Sequence, residues 1–492
     1  MRAGPDGRAS AFDQAAFVLL CALVVWAPLP LGSNRPWAWS LLEAGLFLAG
    51  LAWLAGWVRR EAAIPPAARA AWPAFALLGL WLAYLLLQWL PLPPALVRTL
   101  SPAAAALHDS VAYLGPPGRW ITISVDPHAT RAAWLLSCAY AMAFALALLL
   151  VRDLRRLGWL CAAIVAAGAL QAFAGALLHL GRVDLDVLGM PIPHSQRASG
   201  TYVNRNHLAG LLEMTLAVGI GLMVGQLEDR PRRGWRQFVR ETAELLLSTK
   251  AMLRLVLVIM VIGLVMTRSR MGNAAFFASL MVAGGIALVF SRRAPRSTVV
   301  FIASLVVVDV LLVGAWFGVE QTAQRLSETT VAGVGARQNA SAEALRIVAD
   351  HPLTGTGAGT FYAAFPRYRG PDLDVFYDHA HNDYVQFLAE TGIVGTALAG
   401  LFAAFSVGCA LLALLRRTQA LPRGVAFGVV MGATAIGIHS AVDFNLQIPA
   451  NALVFVLLMA LGWLSLHLDR SGHGKAPSGA DHARASHSRR RT

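Results

Sequence analysis

Three short stretches hold the residue types best suited to chemistry. The densest is Tyr377-Asp378-His379-Ala380-His381-Asn382-Asp383-Tyr384, which sets two histidines and two acids directly before an apolar run. A neutral imidazole, titrating near pH ~6.5, suits a general base for a hydroxyl. A metal is the other chemistry such a segment suggests. No further Cys/His cluster sits nearby in sequence and the spacing fits no standard ligand pattern, so no metal and no cofactor is expected. The second stretch, Thr267-Arg268-Ser269-Arg270-Met271-Gly272, tightly connects two apolar runs. A guanidinium is a rigid, always-charged fork that matches phosphate oxygens and stabilises a leaving diphosphate without a metal. Snorkelling to lipid phosphates is the plainer use of these two arginines. The third stretch holds Arg346 within the amphipathic run Ser341-Ala-Glu-Ala-Leu-Arg346-Ile-Val-Ala-Asp350, broken afterwards by Pro352 and Gly355-Thr-Gly357. A lone Gly-x-Gly is as readily a turn as a phosphate loop.

The elements that must position these residues are membrane helices. The chain is 57% hydrophobic and 14% charged, whereas a soluble protein carries roughly a quarter charged residues. That excludes a soluble globular enzyme. Net charge is +14, and every basic residue except Lys250 and Lys475 is arginine. Basic loops beside a bilayer attract anionic lipid head groups, so membrane lipids, and not nucleic acid, are the partners this charge implies. Cys21, Cys138, Cys161 and Cys409 all fall in apolar runs, so neither a disulfide framework nor a zinc spacing is present.

A spanning helix needs about 20 apolar residues. Candidate spans run over 13–32, 38–57, 72–92, 131–151, 157–180, 207–225, 251–267, 273–291, 298–318, 392–415, 424–442 and 449–468. The expected fold is therefore all-α and polytopic, with about 12 transmembrane helices. Its parts are an N-tail (1–12), helices one to nine (13–318), a large loop (319–391), helices ten to twelve (392–468) and a disordered tail (469–492). Arginine clusters at 59/60/69, 152/155/156, 292/293/296 and 416/417/423 mark inside loops, which places both termini in the cytoplasm. The inside segment 226–250 contains a possible interfacial helix, Gly234 to Leu247, and the long outside loops are 93–130, 181–206 and 319–391. The aromatic content of the last, from Phe361 to Tyr384, argues for order.

Lesser candidates surround these stretches. His194, Asn204, Asn206 and His207 flank the start of the sixth span, where they bind substrate hydroxyls or cap the helix. His439 and Asp443, near the outer end of the eleventh span, are functional candidates by their depth, with pairing to each other as the plainer alternative, and Glu213 has no obvious partner. Arg367 and Arg369 could meet phosphate or sugar, but read more simply as a solvated face.

Four of these motifs, in this order, resemble one family. Ser199-Gly-Thr-Tyr-Val-Asn204-Arg205-Asn206-His207 is similar to its Gly-Thr-(aromatic)-x-Asn-x-Asn helix start, with Arg205 where the family often has Pro. Thr267-x-Ser269-Arg270-x-Gly272 resembles its Ser-Arg-Gly turn. Arg346 with His351-Pro352-Leu-x-Gly355-x-Gly357 resembles its Arg…Pro-x-x-Gly-x-Gly stretch, and His381-Asn382 with Gly392-x-x-Gly395 its external signature. The family is the O-antigen ligase and Wzy-type O-antigen (exopolysaccharide) polymerase superfamily; the likeness is specific over 199–395 and topological before that.

This resemblance implies a GT-C-like, metal-independent glycosyltransferase of the bacterial inner membrane, multi-pass, with a periplasmic active site in the large loop between helices nine and ten. It would take a glycan from undecaprenyl diphosphate and join it to an acceptor glycan, either a lipid-linked repeat or lipid A–core. Arg270 and Arg346 would hold the diphosphate and His381 would deprotonate the acceptor hydroxyl. Arg205 and Arg268 could share the phosphate, with Asn204, Asn206, His379 and Asn382 binding substrate. His439 to Asn451 is similar to exopolysaccharide-associated members, which tilts the reading toward a polymerase. The alternative is a secondary transporter of small anions, which would place polar and broken-helix residues near the bilayer midplane; here the charged candidates gather outside.

Overall fold

The computed structural model describes residues 10–111, 113, 119–187, 190–192, 197–226, 249–290, 331–370 and 376–468. The principal helices are α1 (Ala11–Trp26), α2 (Pro36–Val58), α3 (Trp72–Trp89), α4 (Pro127–Leu150), α5 (Leu154–Gly181), α6 (Arg205–Gly225), α7 (Thr249–Met266), α8 (Arg270–Phe290), α9 (Val331–Asp350), α10 (Asp383–Arg416), α11 (Ala420–His439) and α12 (Pro449–His467). Eight of them (α2 to α6 and α10 to α12) are long and apolar enough to cross a membrane, which makes this an all-helical, polytopic membrane protein. One short antiparallel hairpin, β1 (Leu185–Val187) with β2 (Met190–Ile192), is the exception to the all-helical pattern among the described residues. Every expected span coincides with a helix except 298–318, which lies outside the described residues, as do the N-tail to residue 9, the 234–247 segment, His194, 319–330 and the tail from 469.

Helix starts follow local chemistry. Pro36, Pro127 and Pro449 open α2, α4 and α12, where a missing N–H costs nothing. The side chains of Asp126, Asp153, Asn204 and Asn382 accept backbone N–H groups at the starts of α4, α5, α6 and α10. The first span is shorter than expected. Pro28 and Pro30 end α1 at Trp26, and Leu31–Ser33 form a single tight turn. At the opposite end of α1, buried Asp13 sits between Arg152 and Arg156, 2.6 Å from each.

The centre is α6, enclosed on nearly all sides. It meets α11 along a stripe of small residues: a Cβ on Gly221 would stand 2.4 Å from the Gly424 carbonyl, and one on Gly428 would stand 2.6 Å from the Ala217 carbonyl. In lipid there is no hydrophobic force between helices, so close backbone approach of this kind supplies the packing.

The helix expected over 392–415 begins nine residues earlier, at Asp383, and breaks at Gly392 (φ 60°, ψ −172°). The break frees carbonyls from their helical partners. The 352–361 loop and α3 take them up. Thr356 N–H donates to Ala389 O (2.9 Å), Gly357 N–H to Glu390 O (2.8 Å), and the Tyr84 hydroxyl to Thr391 O (2.7 Å). Gln88 Nε2 bridges Thr354 O and Glu390 O. Buried Glu390 accepts the N–H groups of Gly359 (2.8 Å) and Phe361 (3.2 Å). The donors that a phosphate loop would offer are spent inside the protein, so Gly355-Thr-Gly357 is a turn that closes the helix break.

Gly392 cannot accept a side chain here, because a Cβ would meet Leu353 O at 2.2 Å. Gly392→Ala is expected to cost about 1–3 kcal/mol from the backbone conformation alone, read as a lower unfolding midpoint in detergent, with Gly400→Ala, where nothing lies within 4 Å, as the neutral control.

Candidate functional site

Two helix starts and one turn build the site. Asn382 caps α10 by accepting from Val385 N (3.2 Å) and donates to Ala441 O (2.9 Å). Asp383, buried, accepts from Ser440 Oγ (2.7 Å) and Leu446 N (3.1 Å), while its own N–H donates to Ser440 O (2.8 Å). The 440–447 turn is thereby sewn to the start of α10. From α6, Asn206 Nδ2 donates to Asp443 Oδ2 (2.6 Å), and Asn204 caps the helix through Asn206 N (2.9 Å). Asn451 donates to His207 O (2.9 Å) and accepts from the Tyr202 hydroxyl (3.0 Å), which ties α12 to the same place.

Three imidazoles surround Asp443 and Phe444. His381 and His207 approach Asp443 Oδ1 at 3.8 and 3.6 Å. Phe444 is the hub: His379 stacks on it at 4.2 Å, and His207 and His381 stand edge-on at 4.5 and 4.8 Å. Burial opposes ionisation of Asp443, but the adjoining imidazoles of His207 and His381 outweigh it and hold the carboxyl well below its usual range. Burial pushes His379 down to about 4, so it is neutral at pH 7 and shares a hydrogen bond with Gln386 through Nδ1. His381 adopts φ +51°, and its Nδ1 faces Asp443 beyond hydrogen-bonding distance.

The arginines are placed differently. Arg205 is half-buried, with one guanidinium nitrogen enclosed and unpartnered among the described residues. Arg268 (φ +50°) and Arg270 are exposed in the α7–α8 turn, and their side chains make no hydrogen bond or ion pair with the described residues. Arg346 is 66% exposed and pairs with Glu343 at 2.8 Å. No hydrogen bond, ion pair or ring contact among the described residues joins Arg270 or Arg346 to His381. Their supporting elements do adjoin the histidine site. Ser341 Oγ of α9 donates to Ala380 O (2.6 Å), and α8 packs on α6 so closely that a Cβ on Gly272 would stand 2.7 Å from Ala209 and 3.0 Å from Glu213 Oε1.

The structure corrects one pairing. His439 does not pair with Asp443; its Nδ1 meets Glu213 Oε1 at 2.7 Å, with both side chains buried. α11 ends at His439, and the turn that follows carries Asp443 around to α6. Phe444, Gln386 and Glu390 were not singled out in the sequence. Only their adjacency to Asp443 or to the His381-Asn382 motif hinted at a role. Among the described residues no group of three or more His, Cys, Asp or Glu side chains is placed to hold a metal ion.

Two stability effects follow. His439→Ala strands the buried Glu213 carboxyl and is expected to cost about 3–5 kcal/mol, more than the Glu213→Ala/His439→Ala double variant, by chemical unfolding in detergent. For His379 the folded pKa of about 4 lies below the unfolded value of about 6.5. Its contribution to stability is thus complete above the unfolded value and is lost as pH falls toward the folded one. His379→Gln should flatten that part of the stability–pH curve.

Residues 255–400, which include Arg268, Arg270, Arg346, His379, His381 and Asn382, match the family model for O-antigen ligase, Wzy_C. No curated protein matches the chain.

Proposed function

We propose that the O-antigen ligase domain makes this chain a membrane glycosyltransferase that moves a glycan from undecaprenyl diphosphate to an acceptor sugar hydroxyl on the periplasmic face of the inner membrane. The observation that carries the reading is the approach of His381 to Asp443: His381 lies in the matched stretch 255–400 together with Arg268, Arg270 and Arg346, and Asp443 is brought to it from beyond that stretch. With Nδ1 directed at Asp443, Nε2 of His381 is the nitrogen left for substrate. It takes the acceptor O–H proton as the oxygen attacks the anomeric carbon. The bond from that carbon to the diphosphate oxygen breaks, its electron pair leaves with the diphosphate, and configuration inverts. Asp443 stabilises the imidazolium that forms, which is the contribution a buried carboxylate makes to a base.

Charge on the leaving group falls to the arginines. Arg270 and Arg346 hold the diphosphate oxygens, with Arg268 and Arg205 as further donors, and a bidentate fork is worth more there than a point charge. Arg346 exchanges Glu343 for phosphate at its exposed position. Asn204, Asn206 and Asn382 are engaged in capping and cross-links, so they act by shaping the walls and His379 by lining them. Donor and acceptor are both lipid-linked or membrane-bound glycans, consistent with a site at the outer ends of spanning helices.

The reading is tested by transfer from a defined undecaprenyl diphosphate glycan in proteoliposomes. His381→Ala is expected to abolish transfer while the protein stays folded, and Arg270→Lys or Arg346→Lys to cut it by about tenfold or more. Full activity of His381→Ala would remove the base assignment, and strict dependence on added divalent metal would remove the arginine-only account of the leaving group. Product formed only with lipid A–core present identifies a ligase; chain extension without it identifies a polymerase.

A further inference from the structure

Beside the histidine network the outer lobe leaves two large rings uncovered. Tyr362 is 63% exposed and Phe376 50%. Their ring centroids lie 4.8 Å apart with the planes at 60°, so the two faces open as a shallow V. Their chain neighbours Phe361 and Tyr377 are buried. Phe361 stacks on Phe365 at 4.9 Å, Phe365 meets Tyr377 at 6.5 Å, and Tyr377 stands 5.7 Å from the His381 ring. A series of aromatic contacts thus runs from Phe361, next to Tyr362 in the chain, through Tyr377, next to Phe376, to the His381 ring. Single exposed apolar residues are ordinary, but two exposed rings in contact, each next in the chain to a packed aromatic residue, are a prepared surface.

Charged residues lie close to the pair in the chain: Asp378 two positions after Phe376, and Arg367 and Arg369 five and seven after Tyr362, all three exposed. Aromatic faces with carboxylate and guanidinium groups nearby in the chain suit a saccharide, because a pyranose offers apolar C–H faces to rings and hydroxyl edges to charged hydrogen-bonding groups. Phe376 and His381 are at most about 18 Å apart along the chain, within the reach of a short oligosaccharide whose terminal hydroxyl lies at the base.

We propose that Tyr362 and Phe376 form an acceptor-saccharide subsite, with Asp378 accepting hydrogen bonds from sugar hydroxyls, that selects the glycan presented to His381. The assignment rests on the glycan-transfer reading and deepens it by naming what recognises the acceptor.

The test uses the full-length protein in detergent and in proteoliposomes. Calorimetry measures binding of a water-soluble acceptor oligosaccharide, and steady-state transfer gives KM for acceptor and donor separately. Tyr362→Ala/Phe376→Ala is expected to weaken oligosaccharide binding and raise acceptor KM by about tenfold, with kcat and donor KM unchanged. Tyr362→Phe/Phe376→Tyr should restore both. Both rings are exposed, so an unchanged unfolding midpoint checks that the variant folds. Unaltered acceptor binding and KM in the alanine variant overturn the subsite, as does a rise confined to donor KM, which would make the rings a lipid contact. Wild-type protein that binds the oligosaccharide through these rings but transfers nothing keeps the subsite and removes the transferase reading. Wild-type protein that transfers, with the alanine variant indistinguishable from it, does the reverse.

Discussion

The close approach of α6 and α11 is the contact on which the rest of the structure depends. Gly221 of α6 and Gly424 and Gly428 of α11 let the two backbones meet where no side chain fits. A membrane interior gives helices little reason to associate except dense contact and hydrogen bonds, and this seam provides the first. It also sets the second, because it brings Glu213 against His439. The turn leaving α11 then passes over the start of α6, where Asn206 takes hold of Asp443. The imidazoles around Phe444 are arranged by a packing decision made deeper in the bundle.

The broken helix α10 meets a different constraint. A helix that stops and restarts inside the protein must find partners for its freed carbonyls. Here Thr356, Gly357, Tyr84 and Gln88 supply them from two separate parts of the chain. The outer loop is consequently bonded to the bundle, and α9 is attached by Ser341 to the segment carrying His381. The histidine half of the site is pre-assembled from buried, cross-linked groups. The arginines proposed to complete it are open by contrast: the side chains of Arg268 and Arg270 have no hydrogen-bond or ion-pair partner among the described residues.

Much of this was legible in the sequence and some was not, for identifiable reasons. Apolar runs located the helices because lipid demands length and composition together. α10 was read nine residues short because Asp383, Gln386 and Glu390 depress the hydropathy of its first turns, although all three are buried against protein. His381-Asn382 stood out as a motif, and its fusion to the 440–447 turn did not, since pairing between residues some sixty positions apart leaves no local mark. Glu213 looked solitary for the same reason. Gly355-Thr-Gly357 was ambiguous as a sequence, and the helix break it closes decides its role. The ninth expected span, 298–318, lies outside the described residues.

Phe444 reads in the sequence as apolar filler, yet one benzene ring is shared by His207, His379 and His381. Side chains that share a packing partner do not respond to replacement independently. The cost of altering two of these histidines together will therefore differ from the sum of the single changes, and the ring is where that energetic coupling is lodged.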